Sequence, residues 1–313
     1  MDIRSGDCRS HLRTIAPGTV QTIYLDPPFN SNRDYRLEAG SAVGFADKWT
    51  DESYTAFLEE VIPLCLATLA PTGSLFFHIS TEQMWIPEQC LRKHFKHVRP
   101  ILWKRCRSKN NVKKTLGSAL DVIFWCSQSP ARKFNLVYQA RDAHYEATSF
   151  KSKDDRGNFA LGHLVCDRTR TGHSYSFTIG GRTFTPERGW RIPQEDLQAL
   201  ADDDRLYVPK TAKAKLYKKI YLHESEGKPC MDLWDDIPSI AQGSEGRAYP
   251  TAKPLRLLER IVQMTTDPGD LVLDPMAGSG TTGAACAALG RRCILMDQNE
   301  QAVAIMRERL GAP

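Results

Sequence analysis

The sequence predicts an α/β protein: an open, mostly parallel sheet built with helices and interrupted by one inserted region. Three observations predict it. The run Val20-Gln21-Thr22-Ile23-Tyr24-Leu25 is short, apolar and rich in β-branched and aromatic residues, as a buried parallel strand is, and it leads into Asp26-Pro27-Pro28-Phe29-Asn30. Near the other end, Val272-Leu273-Asp274-Pro275-Met276-Ala277-Gly278-Ser279-Gly280-Thr281-Thr282 reads as a strand, a glycine-rich turn and a helix start. Between them, over residues 129–234, parallel-strand signals stop, and glycine, arginine, aromatic and hydroxyl residues mix without a sustained helical period. At 313 residues and 41% hydrophobic content, the chain can bury one α/β core and carry an insert.

In chain order, residues 3–7 form a short strand candidate, and 8–16 a helix stopped by Pro17-Gly18 before the strand at 20–25. Asp26 then sits at a strand's carboxyl end, the edge where open α/β sheets bind ligands, held by prolines of fixed φ. Taken alone, the tetrapeptide is equally a turn in which Asp26 caps an amide and Phe29 fills the core. Residues 30–48 are polar and aperiodic and predict a loop over the site, with Asn32, Arg33 and Tyr35 as its candidate contact residues. Helical spacing returns over 53–69 and is ended by Pro71-Thr72-Gly73; a buried strand follows at 74–79. His78 within it reads as a satisfied core histidine.

A helix at 81–95 and strands at 97–104 and 121–126 come next. Their connection is basic: Arg99, Lys104, Arg105, Arg107, Lys109, Lys113 and Lys114 fall in a stretch without an acid, as a phosphate-tracking surface requires. In the insert, 174–179 and 182–184 alternate as a hairpin turning at Gly180-Gly181, and Arg168, Arg170 and Arg182 interleave with aromatic residues as a nucleic-acid face would. Arg205, Lys210, Lys213, Lys215, Lys218 and Lys219 form a second acid-free cluster, after a solvated Asp202-Asp203-Asp204 turn. Beyond the insert, Tyr249-Pro250-Thr251-Ala252-Lys253-Pro254 starts a helix, then come a strand at 270–275, a helix at 281–289, a strand at 292–296 ending in Asp297, and a helix at 300–310. Asp297 lies about twenty residues past the glycines, where a βαβ unit places a carboxylate on ribose hydroxyls.

Composition narrows the class. A net charge of +5 says little about nucleic acid by itself; its clustering along the chain is what bears on binding. Nine cysteines with no C-x-x-C pair predict neither a disulfide framework nor a metal site, and hence a reducing compartment. No apolar run reaches a membrane span and the N-terminus lacks signal-peptide features, so a cytoplasmic protein is expected, with no membrane partner.

The Asp26-Pro27-Pro28-Phe29 and Asp274-to-Thr282 motifs together resemble the S-adenosyl-L-methionine (AdoMet)-dependent amino-methyltransferases of DNA, which act on adenine N6 or cytosine N4. The order of the motifs resembles the circularly permuted β group, and the segment 228–237 is similar to solitary adenine methyltransferases and Type III modification subunits. The resemblance implies a seven-stranded Rossmann-like sheet with a target-recognition insert: a catalytic half over 1–128, the insert over 129–234 and a cofactor half over 235–313. It implies AdoMet as cofactor, bound by Asp7, Asp26, Thr251, Lys253, Asp274, Pro275, Ala277, Gly278, Ser279, Gly280, Thr281, Thr282 and Asp297. Asp7 would accept from the adenine amino group, although an N-cap role overlaps; Thr251 and Lys253 would border the methionine end, with Ala252 replacing the usual glutamine.

For catalysis it implies Asp26, Pro27, Pro28 and Phe29: the Asp26 carboxylate and Pro27 carbonyl accept from a flipped-out base's amino group, and Phe29 stacks on it, without metal or covalent intermediate. Adenine N6 is the favoured target, because cytosine N4 enzymes of the family more often carry serine in place of Asp26. Contact with DNA would fall to Asn32, Arg33, Arg105, Arg107, Lys109, Lys113, Lys114, Arg168, Arg170, Arg182, Lys213 and Lys215. A homodimer and a separate restriction chain are compatible partners besides DNA, and DNA binding would bring the protein to the nucleoid. Cytosine N4 methylation, a nicotinamide-dependent dehydrogenase and a DNA-binding relative without catalysis are the alternatives.

Overall fold

A computed structural model describes residues 1–36, 43–106, 116–139, 141, 143–166, 173–211, 214–240 and 252–311. Their architecture centres on an eight-stranded sheet in the order Asp2–Ser5, Arg292–Asp297, Leu271–Asp274, Val20–Leu25, Leu69–Ser80, Leu120–Ser127, His97–Lys104, Leu233–Trp234. The first five run parallel, Leu120–Ser127 is antiparallel to both neighbours, and Leu233–Trp234 is parallel to His97–Lys104. All seven strands read from the sequence lie in this sheet, joined by an eighth of two residues that carries no periodicity of its own. The chain's first strand pairs with its last, and the Asp26 strand lies beside the glycine-motif strand.

Strands covered on both faces explain the continuous apolar runs. Ile23, Leu25, Leu75, Phe77 and Ile79 pack with the helices Cys8–Leu12, Asp51–Thr68 and Trp85–His94 on one side. Tyr24 and Phe76, pointing the other way, pack with Leu255–Thr265, Thr281–Ala288 and Glu300–Leu310. At about 25 cal/mol per Å² of apolar surface removed from water, this two-sided burial is the main stabilising contribution.

Several boundaries differ from the sequence reading, each for a local reason. The first strand stops at Ser5, and Asp7 caps the next helix by accepting from Arg9 N at 2.8 Å. The expected loop at 30–48 contains a hairpin, Arg33–Arg36 with Val43–Asp47. Helix Asp51–Thr68 starts earlier than expected because Thr50 and Ser53 form a reciprocal capping box. The strand after it runs straight through Pro71-Thr72-Gly73, absorbing them with a register shift opposite Val20 and Thr22.

Two compact units are present: Met1–Val137 with Pro229–Pro313, and Tyr138–Lys228. In the first unit the chain leaves at Val137 and returns at Cys230, whose amide donates to the Val137 carbonyl at 2.9 Å. The second unit has its own four-stranded antiparallel sheet, helix Gln194–Asp202 and a core of Leu164, Phe177, Trp190, Leu197, Leu206 and Leu216. Its hairpin Phe177–Ile179 with Arg182–Phe184 turns at Gly180 and Gly181, both at positive φ (56° and 71°), as a two-residue turn demands.

Candidate active site

The two motifs meet in one cavity of about 1180 Å³ at the carboxyl ends of the central strands, lined by Asp26 to Phe29 from one and Asp274 to Ser279 with Thr281, Thr282 and Asp297 from the other. Adjacent parallel strands bring them together across some 250 residues of chain. Asp7, Arg105, Ala252 and Lys253 also line it.

The Asp-Pro-Pro-Phe turn is built rigidly. Asn30, at φ +54°, reverses the chain, and its amide donates to the buried Asp47 carboxylate at 2.7 Å. The Tyr54 hydroxyl donates to the Pro28 carbonyl at 2.7 Å. Asp26 therefore points from a fixed backbone, and Lys253 Nζ forms an ion pair with its Oδ2. Asp26 Oδ1 is buried with no hydrogen-bond partner among the described residues.

Behind Asp26 lies a buried polar chain. His78 Nδ1 is 2.6 Å from the Tyr24 hydroxyl and 4.0 Å from Asp26 Oδ1, while Nε2 faces Asp121 Oδ2 at 3.4 Å. Burial, then the Lys253 charge, pushes the imidazole's pKa down and keeps it neutral; burial raises that of the Tyr24 phenol. Burial opposes ionisation of Asp121, but the bond from His78 and the Arg105 charge outweigh it and hold its pKa below the usual carboxylate range. His78 is thus the satisfied core histidine expected from sequence, and it supports the site without opening into it.

On the other side, Asp274 accepts from Met276 N at 3.1 Å and from the Thr282 hydroxyl at 2.5 Å, tying strand, loop and helix together. Its complete burial, with the nearby Asp26 and Asp297 charges adding to it, pushes its pKa up to about 7. Asp297 uses one oxygen for Gly278 N at 2.9 Å and the other for Asn299 N at 2.8 Å, and burial raises its pKa as well. It therefore stands where spacing put it, at a strand end beside the glycine loop. Gly278 and Gly280 take positive φ, 51° and 75°.

Other expected residues fall differently. Asp7 is engaged by Arg9 through both oxygens, so an adenine amino group would share a carboxylate already in use. Arg105 turns inward, its Nε 3.1 Å from Asp121 Oδ1 and a terminal nitrogen 3.2 Å from the Ser118 hydroxyl. Arg182 donates to the carbonyls of Pro209 and Thr211 and covers Phe184. Asn32 and Lys215 are exposed, and Arg33 lies in its hairpin strand. Thr251, Arg107, Lys109, Lys113, Lys114, Arg168, Arg170 and Lys213 lie outside the described residues. Sequence reasoning missed Asp47, Asp121, Tyr24 and Tyr54 as supports of the turn and of the polar chain behind it; no spacing rule links them to Asp26.

Among the described residues there is no cluster of metal-ligating side chains and no helix long and apolar enough to cross a membrane.

Known proteins resemble this chain in sequence and in fold. M.EcaI, a Type II methyltransferase of Enterobacter cloacae, is 26% identical over 299 residues, covering 93% of this chain and 65% of its own length. The StyLTI Mod subunit, of a Type III restriction-modification enzyme of Salmonella typhimurium, is 24% identical over 337 residues, covering 95% of this chain and 51% of its own. The chain thus spans less than two thirds of either relative. The DNA adenine methyltransferase YhdJ of Escherichia coli is 27% identical over 307 residues, covering 97% of this chain and 81% of its own. In fold, the chain resembles the cytosine-N4-specific PvuII DNA methyltransferase, with a TM-score of 0.55 at 15% identity over 98% of this chain and 85% of that one. It also resembles the M1.HpyAVI–SAM complex, with 0.51 at 17% over 99% and 98%. The N6/N4 DNA methylase profile matches residues 20–308, nearly the whole chain. With both signature motifs lining one cavity, the chain belongs to the N6/N4 DNA methylase family.

Proposed function

We propose that this chain is an AdoMet-dependent DNA methyltransferase acting on the N6 amino group of a flipped-out adenine. The observation that carries the reading is Asp26 Oδ1, a buried acceptor without a donor among the described residues, in a cavity shared with the glycine loop. The cavity exceeds the roughly 300–1,000 Å³ of a single small-molecule site, which suits a cofactor and a base together.

The donor set fits AdoMet: Asp297 for ribose hydroxyls, the Gly278 to Gly280 loop for close backbone approach, and Asp7, Asp274, Pro275, Ala277, Thr281 and Thr282 around it. When bound, AdoMet supplies an electrophilic methyl group on a sulfonium. The chain's own task is to make a poor nucleophile react, because an exocyclic amine delocalises its lone pair into the ring. Asp26 Oδ1 and the Pro27 carbonyl accept the amino hydrogens, localise that pair and stabilise the positive charge developing on nitrogen. Phe29 stacks on the extruded base, a contact typically worth about 1–3 kcal/mol, which offsets much of the cost of flipping. The insert, with the basic connection at 99–114, serves target recognition. A relative named as a Mod subunit supports a restriction chain as partner.

Adenine is preferred for the aspartate that opens the first motif, and the name of YhdJ supports it. Mass spectrometry of nucleosides from mixed-sequence DNA, after incubation with protein and AdoMet, tests the reading. N6-methyladenine is the expected product; N4-methylcytosine would correct the base, and methylation of neither base would overturn the proposal.

A further inference from the structure

The two oxygens of Asp26 meet different surroundings. Oδ2 is paired with the Lys253 ammonium, whereas Oδ1 is buried and without a donor among the described residues. The nearby His78 Nδ1 does not serve Oδ1: it is 4.0 Å away and already engaged by the Tyr24 hydroxyl at 2.6 Å. Lys253 is itself fixed. Its side chain is 14% exposed, its ammonium lies 5.3 Å from the Phe29 ring centroid, and the next residue, Pro254, caps helix Leu255–Thr265 at φ −60°.

We propose that Lys253 is a positioning residue for methyl transfer: by occupying Oδ2 it fixes the Asp26 carboxylate so that Oδ1 is the oxygen offered to the target amino group. This rests on the function proposed above, and it differs from the methionine-end role that the family resemblance implies for Lys253. A carboxylate carries several acceptor sites and, unheld, presents either oxygen at many angles. Held at Oδ2, it presents one, and alignment for in-line transfer tolerates little displacement. The two carboxylates of the glycine-loop side have both oxygens engaged: Asp274 by Met276 and Thr282, and Asp297 by Gly278 and Asn299.

The test is a variant series read by steady-state methylation and by calorimetry of AdoMet binding. Lys253→Met is expected to lower kcat about 100-fold, the loss typical of misplacing a reacting group, with AdoMet Kd and DNA KM within about 3-fold of wild type. Lys253→Arg, which keeps a cationic donor, should recover at least about tenfold of that loss. Asp26→Asn with Lys253→Met should be no slower than Asp26→Asn alone, because a residue acting through Asp26 has nothing left to position. If Lys253→Met keeps its kcat, or weakens AdoMet binding more than about tenfold while turning over normally at saturation, the inference fails and the second result restores the methionine-end role. Should Lys253→Met fold poorly, the Arg variant alone decides: AdoMet affinity lost with kcat kept overturns the proposal, and kcat lowered with affinity kept supports it. A wild-type chain that methylates no DNA sinks the function itself, whereas an active wild type with an unaffected Met variant sinks only this step.

Discussion

Asp47 clamps the turn that presents Asp26: one carboxylate oxygen accepts from Asn30 N at 2.7 Å, the other from the Ser31 amide at 2.9 Å and the Ser31 hydroxyl at 2.6 Å. The clamp is buried, with Asp47 1% exposed, so the three bonds form in a medium that strengthens them. Asp47→Ala should destabilise the protein by on the order of 3 kcal/mol, since hydrogen bonds to a charge are lost and buried donors left unmet. Urea unfolding measures this, and Asp47→Asn should retain part of the loss. An unchanged midpoint for Asp47→Ala would remove the clamp from the account.

The glycine loop separates two demands. At Gly280, φ is +75° and an added Cβ would lie 2.6 Å from Met306 Cγ, so Gly280→Ala should cost about 1–3 kcal/mol in denaturant unfolding through strain and overpacking. Gly278, at φ +51° and lining the cavity, should instead report on binding. Gly278→Val is expected to abolish AdoMet binding in calorimetry, and a normal isotherm would refute the loop's assignment.

Asp274 makes stability depend on pH. Its carboxyl, 3.8 in the unfolded chain, is pushed up to about 7 by burial, so between those values the folded state holds a proton that the unfolded state has released. The contribution is therefore complete below pH 4 and lost as pH rises through 7, by roughly 4 kcal/mol if the whole interval counts. Stability of the wild type should fall from pH 5 to pH 8 relative to that of Asp274→Asn. Parallel curves for the two would mean that Asp274 titrates as an ordinary carboxyl.

Asp26→Ala should eliminate methylation while leaving AdoMet affinity within a few-fold, because the glycine loop and Asp297 are untouched. Turnover above background would falsify the acceptor role of Asp26.

The sheet was legible because strands such as Val20–Leu25, covered on both faces, need uninterrupted apolar runs. Both motifs were legible because tight backbone geometry demands Pro or Gly. The hairpin of Arg33–Arg36 and Val43–Asp47 escaped because its strands are short, one of them polar and the other interrupted by Gly44, so only pairing defines them. Leu233–Trp234 escaped for a similar reason: two residues have no period, and they form a strand only beside Leu102 and Trp103. The pairing of Lys253 with Asp26 links residues at opposite ends of the chain, and local pattern has no access to such a contact. Charge and position alone assign Arg105 to DNA, yet a carboxylate carried by the next strand turns it inward.

The hydrogen bond between Cys230 and Val137 has a consequence for how such a chain is assembled and diversified. Because the exit and return points of the sheet unit are neighbours, whatever is spliced between them needs only two closely spaced ends, and the strand order does not change. On the function proposed above, transplanting the segment between Val137 and Cys230 from a relative is therefore expected to alter which sequence is read while leaving the methyl-transfer pocket of the sheet unit unchanged.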